Sequence, residues 1–272
     1  MKDNYLINGK KSLGLDPFDR GLAFGDGIFR TFKISDGNPI HWDYHFRKLN
    51  DDAKKLNINL PAELTLLGDI KLLFDKKTGV FIAKWIITRG SSTRGYSTPK
   101  KISPNRILLK SNFVPLENNI YLNGVVLEFS KRITSSHLYL GAIKHLNRLE
   151  NILAKQELSK LSFDAIMFDE NGAVSECISH NIFVRIGNVL YFPKQNHAGV
   201  SGVSKQIIIQ HASNLGCTVK ENIISKDQLL KVDELVIVNS VNGAIPVKQI
   251  KDKIWKPSNL AYEINQIFKK IK

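Results

Sequence analysis

Lys144 follows a compact apolar run, Gly141-Ala-Ile, and precedes His145-Leu146-Asn147-Arg148-Leu149-Glu150. Asn147 and Glu150 have the spacing of a helix N-cap and its reciprocal capping-box partner. Leu149, Ile152, Leu153 and Leu158 then recur at roughly helical spacing. The pattern predicts a helix opening at Asn147, with Lys144 just before its N-terminus. A helix dipole disfavours a cation there. Partial burial would act in the same direction and favour an uncharged, nucleophilic amine. Read alone, the same residue is equally a solvated loop lysine in a lysine-rich chain.

Other residues could serve such a lysine. Glu176 closes a short strand among Ser175, Cys177 and Ser179; it is either solvent-facing or held to face a cationic group. Gly199-Val-Ser-Gly202-Val203-Ser204 runs into a helical pattern. Free N–H groups, the dipole and a hydroxyl make such a turn an anion site, though it is also how helices are capped. Ser240, at the end of the strand Glu234–Asn239, is a second possible phosphate contact. Arg47, beside the apolar face of a predicted helix, is a surface arginine or an anion clamp. Arg94 and Tyr96 lie in the loop Gly90-Ser-Ser-Thr-Arg94-Gly95-Tyr96-Ser, which reads as flexible; a guanidinium there suits a carboxylate. A lysine for the cofactor aldehyde, a carboxylate for the ring nitrogen and an anion cradle are the set that pyridoxal phosphate needs.

The chain has 272 residues, 43% of them hydrophobic, enough for one large domain or two medium ones. The net charge of +14 raises the question of nucleic acid. The basic residues are scattered, however, and no nucleic-acid-binding motif is visible; a positive field also attracts small anions. Cys177 and Cys217 lack metal or disulfide spacing. The first residues carry no long apolar core and no run is long enough to span a bilayer. These features predict a cytoplasmic chain without metal, nucleic-acid or membrane partners.

The elements that must position the candidate residues follow from periodicity. Ile28–Ile34 reads as a strand turned by Asp36-Gly37. Trp42–Leu56 reads as a helix with Phe46, Leu49, Ala53 and Leu56 on one face, and Ala62–Phe74 as a second helix. Gly79–Arg89 reads as a buried strand, and Asp16–Arg20 as polar turn material. Residues 111–123 are polar and irregular, which places a domain boundary there: 1–113, a linker 114–123, and 124–272. In the second part, Asn171-Gly172 and Gly187-Asn188 separate short strands. Ser225 with Gln228 forms a capping box, and Leu260–Ile271 is a closing helix.

Asp19-Arg20-Gly21 with Phe24-Gly25-Asp26-Gly27-Ile-Phe, His45-Phe-Arg47-Lys-Leu, Lys144 with Leu146-Asn147, and Val174-Ser-Glu176 with Ser179-His-Asn181-Ile-Phe occur in order along nearly the full chain. In these motifs the sequence resembles the class IV, fold-type IV aminotransferase-like pyridoxal phosphate enzymes. Arg89-Gly-Ser-Ser-Thr-Arg94-Gly95-Tyr96-Ser97, the run Gly141–Glu150, and Thr31 after Phe29-Arg30 are most similar to the family's 4-amino-4-deoxychorismate lyases. D-amino-acid and branched-chain aminotransferases share the frame.

The resemblance implies an α/β (α+β) fold of the D-amino-acid-aminotransferase type: a small α/β domain and a larger domain with a barrel-like sheet, in a homodimer. It implies that Lys144 holds pyridoxal 5'-phosphate and acts as general base, and that Glu176 pairs with the pyridinium nitrogen. Arg47, Val203, Ser204 and Ser240 would hold the phosphate. Arg94 with Tyr96 would face the substrate carboxylate, and Thr31 matches the lyase-type threonine near the lysine. The implied reaction is loss of pyruvate from 4-amino-4-deoxychorismate to give 4-aminobenzoate for folate biosynthesis. The family pattern has Ile-Thr where this chain has Val203-Ser204, and a threonine-rich strand end where it has Asn239-Ser240-Val241-Asn242.

Overall fold

In the computed structural model, which describes residues 4–11, 14–195, 197–256 and 258–271, the chain forms two compact units. One is Met1–Val114 with Lys144–Asn147; the other is Pro115–Ile143 with Arg148–Lys272.

The first unit contains β1 (Tyr5–Ile7), α1 (Arg20–Phe24), β2 (Gly27–Ser35), β3 (Asn38–Pro39), α2 (Trp42–Lys55), α3 (Glu63–Phe74), β4 (Val80–Thr88) and β5 (Asn105–Asn112). Its antiparallel sheet has the order β1-β5-β4-β2-β3. The Asp36-Gly37 turn joins β2 to β3 with φ of 47° and 80°; positive φ at both central positions matches the right-handed strand twist. Helices α2 and α3 pack on the sheet, and Phe32, Trp85, Leu49, Ile70 and Phe74 are buried. β4, expected to be a buried strand, alternates: Ala83, Trp85 and Ile87 are buried on one face, and Ile82, Lys84 and Ile86 are half-buried on the other.

The register of α2 also differs from the apolar reading. Its buried residues are Trp42, His45, Lys48, Leu49, Asp52 and Ala53, and Phe46 is only partly buried. Lys48 and Asp52 lie on the inner face because they pair there with each other and with Arg30. Arg20 is likewise no loop residue: Asp19 caps α1 by accepting from the Leu22 N–H at 3.1 Å, and Arg20 is buried.

The second unit contains α4 (Asn118–Asn123), β6 (Val125–Ile133), α5 (Leu149–Gln156), β7 (Asp164–Phe168), β8 (Val174–Cys177), β9 (Asn181–Ile186), β10 (Val189–Pro193), α6 (Val203–Gln210), β11 (Thr218–Asn222), α7 (Lys226–Leu229), β12 (Glu234–Asn239), β13 (Gly243–Ile250), β14 (Lys253–Ile254) and α8 (Leu260–Lys270). Its strands run β11-β10-β9-β12-β13-β6-β7-β8, with β14 on β13. Apolar side chains of β6, β7, β9, β12 and β13 form one core cluster, and α6 and α8 close a second. The stretch expected to be an irregular linker contains α4.

Ser225 and Gln228 form the expected capping box of α7. The Asn147–Glu150 box does not form. Helix α5 is capped at Arg148 without a side-chain bond. The Glu150 carboxylate instead accepts from the Ser135 N–H at 2.9 Å. The Asn147 amide packs against Gly25, where a side chain on that glycine would collide with it. Among the described residues, no helix is long and apolar enough to cross a membrane, and no cluster of His, Cys, Asp or Glu could hold a metal ion.

Candidate active site

Lys144 lies on the edge of the first unit's sheet. Its C=O accepts from the Phe29 N–H at 3.0 Å, and the Leu146 N–H donates to the Gly27 C=O at 3.0 Å. His145 thus bridges antiparallel to Ile28. The Lys144 Nζ stands 4.7 Å from the centre of the Phe29 ring, and the Lys84 Nζ of β4 is 5.0 Å from the same centre. Thr31 opposes Lys84 across the ladder and alternates with Phe29, so all four side chains share one half-buried sheet face. Lys84 was not among the residues singled out; its signal was alternation within β4, hidden in an otherwise apolar run.

Behind this edge lies a buried ionic cluster. The Asp52 carboxylate is wholly buried. It pairs with the Arg30 guanidinium and the Lys48 ammonium, and its Oδ2 accepts from the Lys144 backbone N–H at 3.1 Å. His45 packs tilted against Phe32, ring centres 5.0 Å apart, and burial with the nearby Arg30 charge holds its ring well below the usual histidine range. Arg47, by contrast, points outward on α2 with its guanidinium 5.2 Å from the Tyr44 ring centre. The cation that this turn of the helix buries is the next residue, Lys48.

Burial pushes the Lys48 amine down to about 8, against the upward pull of Asp52. Between that value and the ordinary lysine value of 10.5 the folded chain binds fewer protons than the unfolded one, so stability rises with pH across that window. Below it both states are protonated and the cost is fully present. Urea unfolding of the wild type and Lys48→Met across this range is expected to show the gap moving in the wild type's favour, by about 1.4 kcal/mol per pH unit. A constant gap would refute the assignment.

The loop with Arg94 and Tyr96 is not loose. Both side chains are exposed, but Arg20 grips the loop backbone. Its guanidinium donates to Ser92 Oγ at 3.0 Å, to the Gly95 C=O at 3.2 Å and to the Tyr96 C=O at 3.1 Å. Asp26 holds Arg20 at 2.9 Å and Arg89 at 2.7 Å. Burial alone would raise the Asp26 carboxyl, but the Arg89 and Arg20 contacts hold it below its ordinary value. Arg89 is thereby committed to Asp26 and to the Leu56 and Asn57 carbonyls. Lysine cannot reproduce the guanidinium fork. Arg20→Lys is therefore expected to cost about 2 kcal/mol of stability and to speed amide exchange at residues 92–97. Unchanged exchange in that loop would exclude the clamp.

In the second unit, Glu176 is buried at the end of β8. Its Oε2 accepts from the Val200 N–H at 2.9 Å and the Asn181 side-chain amide at 3.4 Å. Gly199, at φ 75°, passes so close that a Cβ there would lie 3.2 Å from the Glu176 carboxyl carbon. The same amide of Asn181 reaches the Val200 C=O at 2.8 Å. The Asn181 oxygen lies against Gly202, where a Cβ would collide with it. Gly202 caps α6 without a side-chain bond, and Val203 and Ser204 in its first turn are buried. A buried helix start of this kind is an anion cradle.

Ser240 is half-buried after β12. The Asn239 Oδ1 accepts from the Val241 and Asn242 N–H groups at 3.0 and 2.7 Å, so these two donors already have an acceptor. Ala142, at φ 65°, exchanges hydrogen bonds with Gly199 and Ser201, and the chain reaches Lys144 two residues later.

Within the second unit, a buried carboxylate and a glycine-opened helix start joined by Asn181 have the chemistry to face a basic ring nitrogen and an anion. Within the first, the Lys144 amine beside the Phe29 ring has the chemistry to take an aldehyde. The family model for class IV amino-transferases matches residues 27–250. The chain belongs to that family. It is 29% identical to the aminodeoxychorismate lyase of Bacillus subtilis (strain 168), over 90% of this chain and 86% of that one. It is 27% identical to a putative branched-chain-amino-acid aminotransferase of Methanocaldococcus jannaschii, over 98% and 93%. The crystal structure of 4-amino-4-deoxychorismate lyase from Pseudomonas aeruginosa superposes with a TM-score of 0.92 at 28% identity, covering 98% of each chain. The fold is therefore the mixed α/β fold of the fold-type IV enzymes.

Proposed function

We propose that the protein is a pyridoxal 5'-phosphate-dependent lyase that releases pyruvate from 4-amino-4-deoxychorismate and leaves 4-aminobenzoate. The observation that carries this reading over transamination is the second ammonium, Lys84, beside Lys144 and Thr31 on the sheet face of Phe29. The substrate bears two carboxylates, and a second cation beside Lys144 on the Phe29 ring suits that charge. Full-length similarity to two lyases supports the same reading.

When bound, the cofactor supplies a sink for the electron pair left on the amine-bearing carbon once its proton departs. Lys144 would hold the cofactor through its amine, and the same amine, when free, would take that proton. Glu176 keeps the ring nitrogen protonated. The N–H groups and hydroxyl of Val203 and Ser204 hold the phosphate, with Ser240 as a further contact. Arg47, on the exposed side of α2, is a further cation for the phosphate. Arg94 and Tyr96 hold a substrate carboxylate. Lys144 then returns its proton to the departing ether oxygen as the carbon–oxygen bond breaks, with the Thr31 hydroxyl assisting. The enolpyruvate released becomes pyruvate, and aromatisation of the ring drives the step.

Thr31→Val is expected to slow pyruvate release by about tenfold; unchanged release would remove the hydroxyl from the proton path. On this reading we place the protein in folate biosynthesis, in the cytoplasm and in a homodimer, as in the enzymes that it resembles. The alternative is a class IV aminotransferase acting on D- or branched-chain amino acids. Incubating the purified holoenzyme with 4-amino-4-deoxychorismate and reading pyruvate with a coupled dehydrogenase decides between them. Pyruvate formation supports the lyase. Its absence, together with keto-acid formation from D-alanine or a branched-chain amino acid, would replace it.

A further inference from the structure

Asp52 is a fully buried carboxylate on the inner face of α2. Burying a charge is costly unless it is paired, and an ion cluster in this position commonly adds no stability over apolar residues of similar volume. Folding alone therefore gives no reason for Arg30, Lys48 and Asp52 to be where they are. What the cluster does provide is an acceptor at a fixed point.

Arg30, on β2, holds Oδ2 of Asp52 and also donates to the Lys48 C=O at 3.3 Å. Lys48 holds Oδ1 from one helical turn before. With both oxygens fixed, Oδ2 receives the Lys144 N–H at 3.1 Å. The Lys144 C=O is meanwhile held by the Phe29 N–H at 3.0 Å, one residue before Arg30. The peptide groups on both sides of the Lys144 Cα are thus tied to the same helix and strand. A misplacement of about 1 Å at a reacting group can cost about a hundredfold in rate.

We propose that Asp52 is a positioning residue that sets the place of the Lys144 amine through its backbone, with Arg30 and Lys48 as its struts. The catalytic consequence rests on the reading of Lys144 as the cofactor lysine; the anchor itself does not.

The test uses two variants. Arg30→Leu/Lys48→Met/Asp52→Leu removes the whole cluster without stranding a charge. Asp52→Asn keeps an oxygen acceptor but loses the charge. In the cofactor-free protein, amide exchange at Lys144, resolved by lysine-specific isotope labelling, is expected to speed up at least about tenfold in the triple variant. Exchange in the rest of β2 and α2 should stay near the wild-type rate. Asp52→Asn should lie between the two. In the loaded enzyme, the triple variant should lose about ten- to a hundredfold in kcat with KM little changed.

Wild-type exchange at Lys144 in either variant, or acceleration spread evenly over β2 and α2, would overturn the anchor. If the triple variant fails to fold, exchange in Asp52→Asn decides. Borohydride fixation and peptide mapping of the wild type separate the two readings. Cofactor missing from Lys144 would end the functional reading, while the exchange result would still judge the anchor.

Discussion

Lys144→Ala is expected to reduce pyruvate release by about four orders of magnitude or more, because one side chain holds the cofactor and also moves the proton. The fold should survive. Alanine keeps the backbone bonds to Phe29 and Asp52, and what leaves is a side chain lying over a half-buried ring. The far-ultraviolet dichroism and melting temperature should therefore stay close to the wild type while the visible absorbance of bound cofactor disappears. Added small amines should restore part of the turnover, since the proton-moving group can be supplied from solution. A variant that stayed coloured and active would place the covalent link on another lysine.

Glu176→Gln is expected to lower turnover by about two to three orders of magnitude, the scale on which one preorganised electrostatic partner acts in a water-poor site. Glutamine has nearly the same shape, so the contacts with the Val200 N–H and the close pass of Gly199 can persist. What changes is the charge: an amide cannot stabilise a protonated ring nitrogen as a carboxylate does. KM should move far less than kcat, because the loss falls on the reacting state. The cofactor should remain bound through Lys144 and the α6 cradle, so absorbance and turnover should part company. If both fell together, Glu176 would be a binding residue only.

The parts of the candidate site visible from sequence were those whose signal is local. Glu176 stands at the end of a strand marked by Asn171-Gly172, and the α6 cradle is marked by its own glycines. Lys144 needed the family motif, since its neighbourhood alone read equally well as a loop. The misplacements share a cause, which is a partner far away in the chain. Asp52 and Lys48 lie on the inner face of α2 because Arg30 reaches them from another element; a count of apolar residues rotates that helix toward Phe46 and Leu56. Arg20 reads as turn material, yet the loop acceptors that it grips, on Ser92, Gly95 and Tyr96, lie more than seventy residues later. Asn147 has cap spacing but packs against Gly25. Local propensity yields where a tertiary contact offers the same side chain a better partner.

The short visit of Lys144–Asn147 to the first unit's sheet bears on how this architecture can be divided. A gene fragment ending after Val114 would encode five strands but not the extra edge segment beside Gly27–Phe29, nor the lysine. No single cut yields two halves each holding its own residues. Recombination that exchanged one half for a homologous one would therefore import a foreign edge segment along with the foreign lysine, so the two parts are bound to evolve as one heritable block.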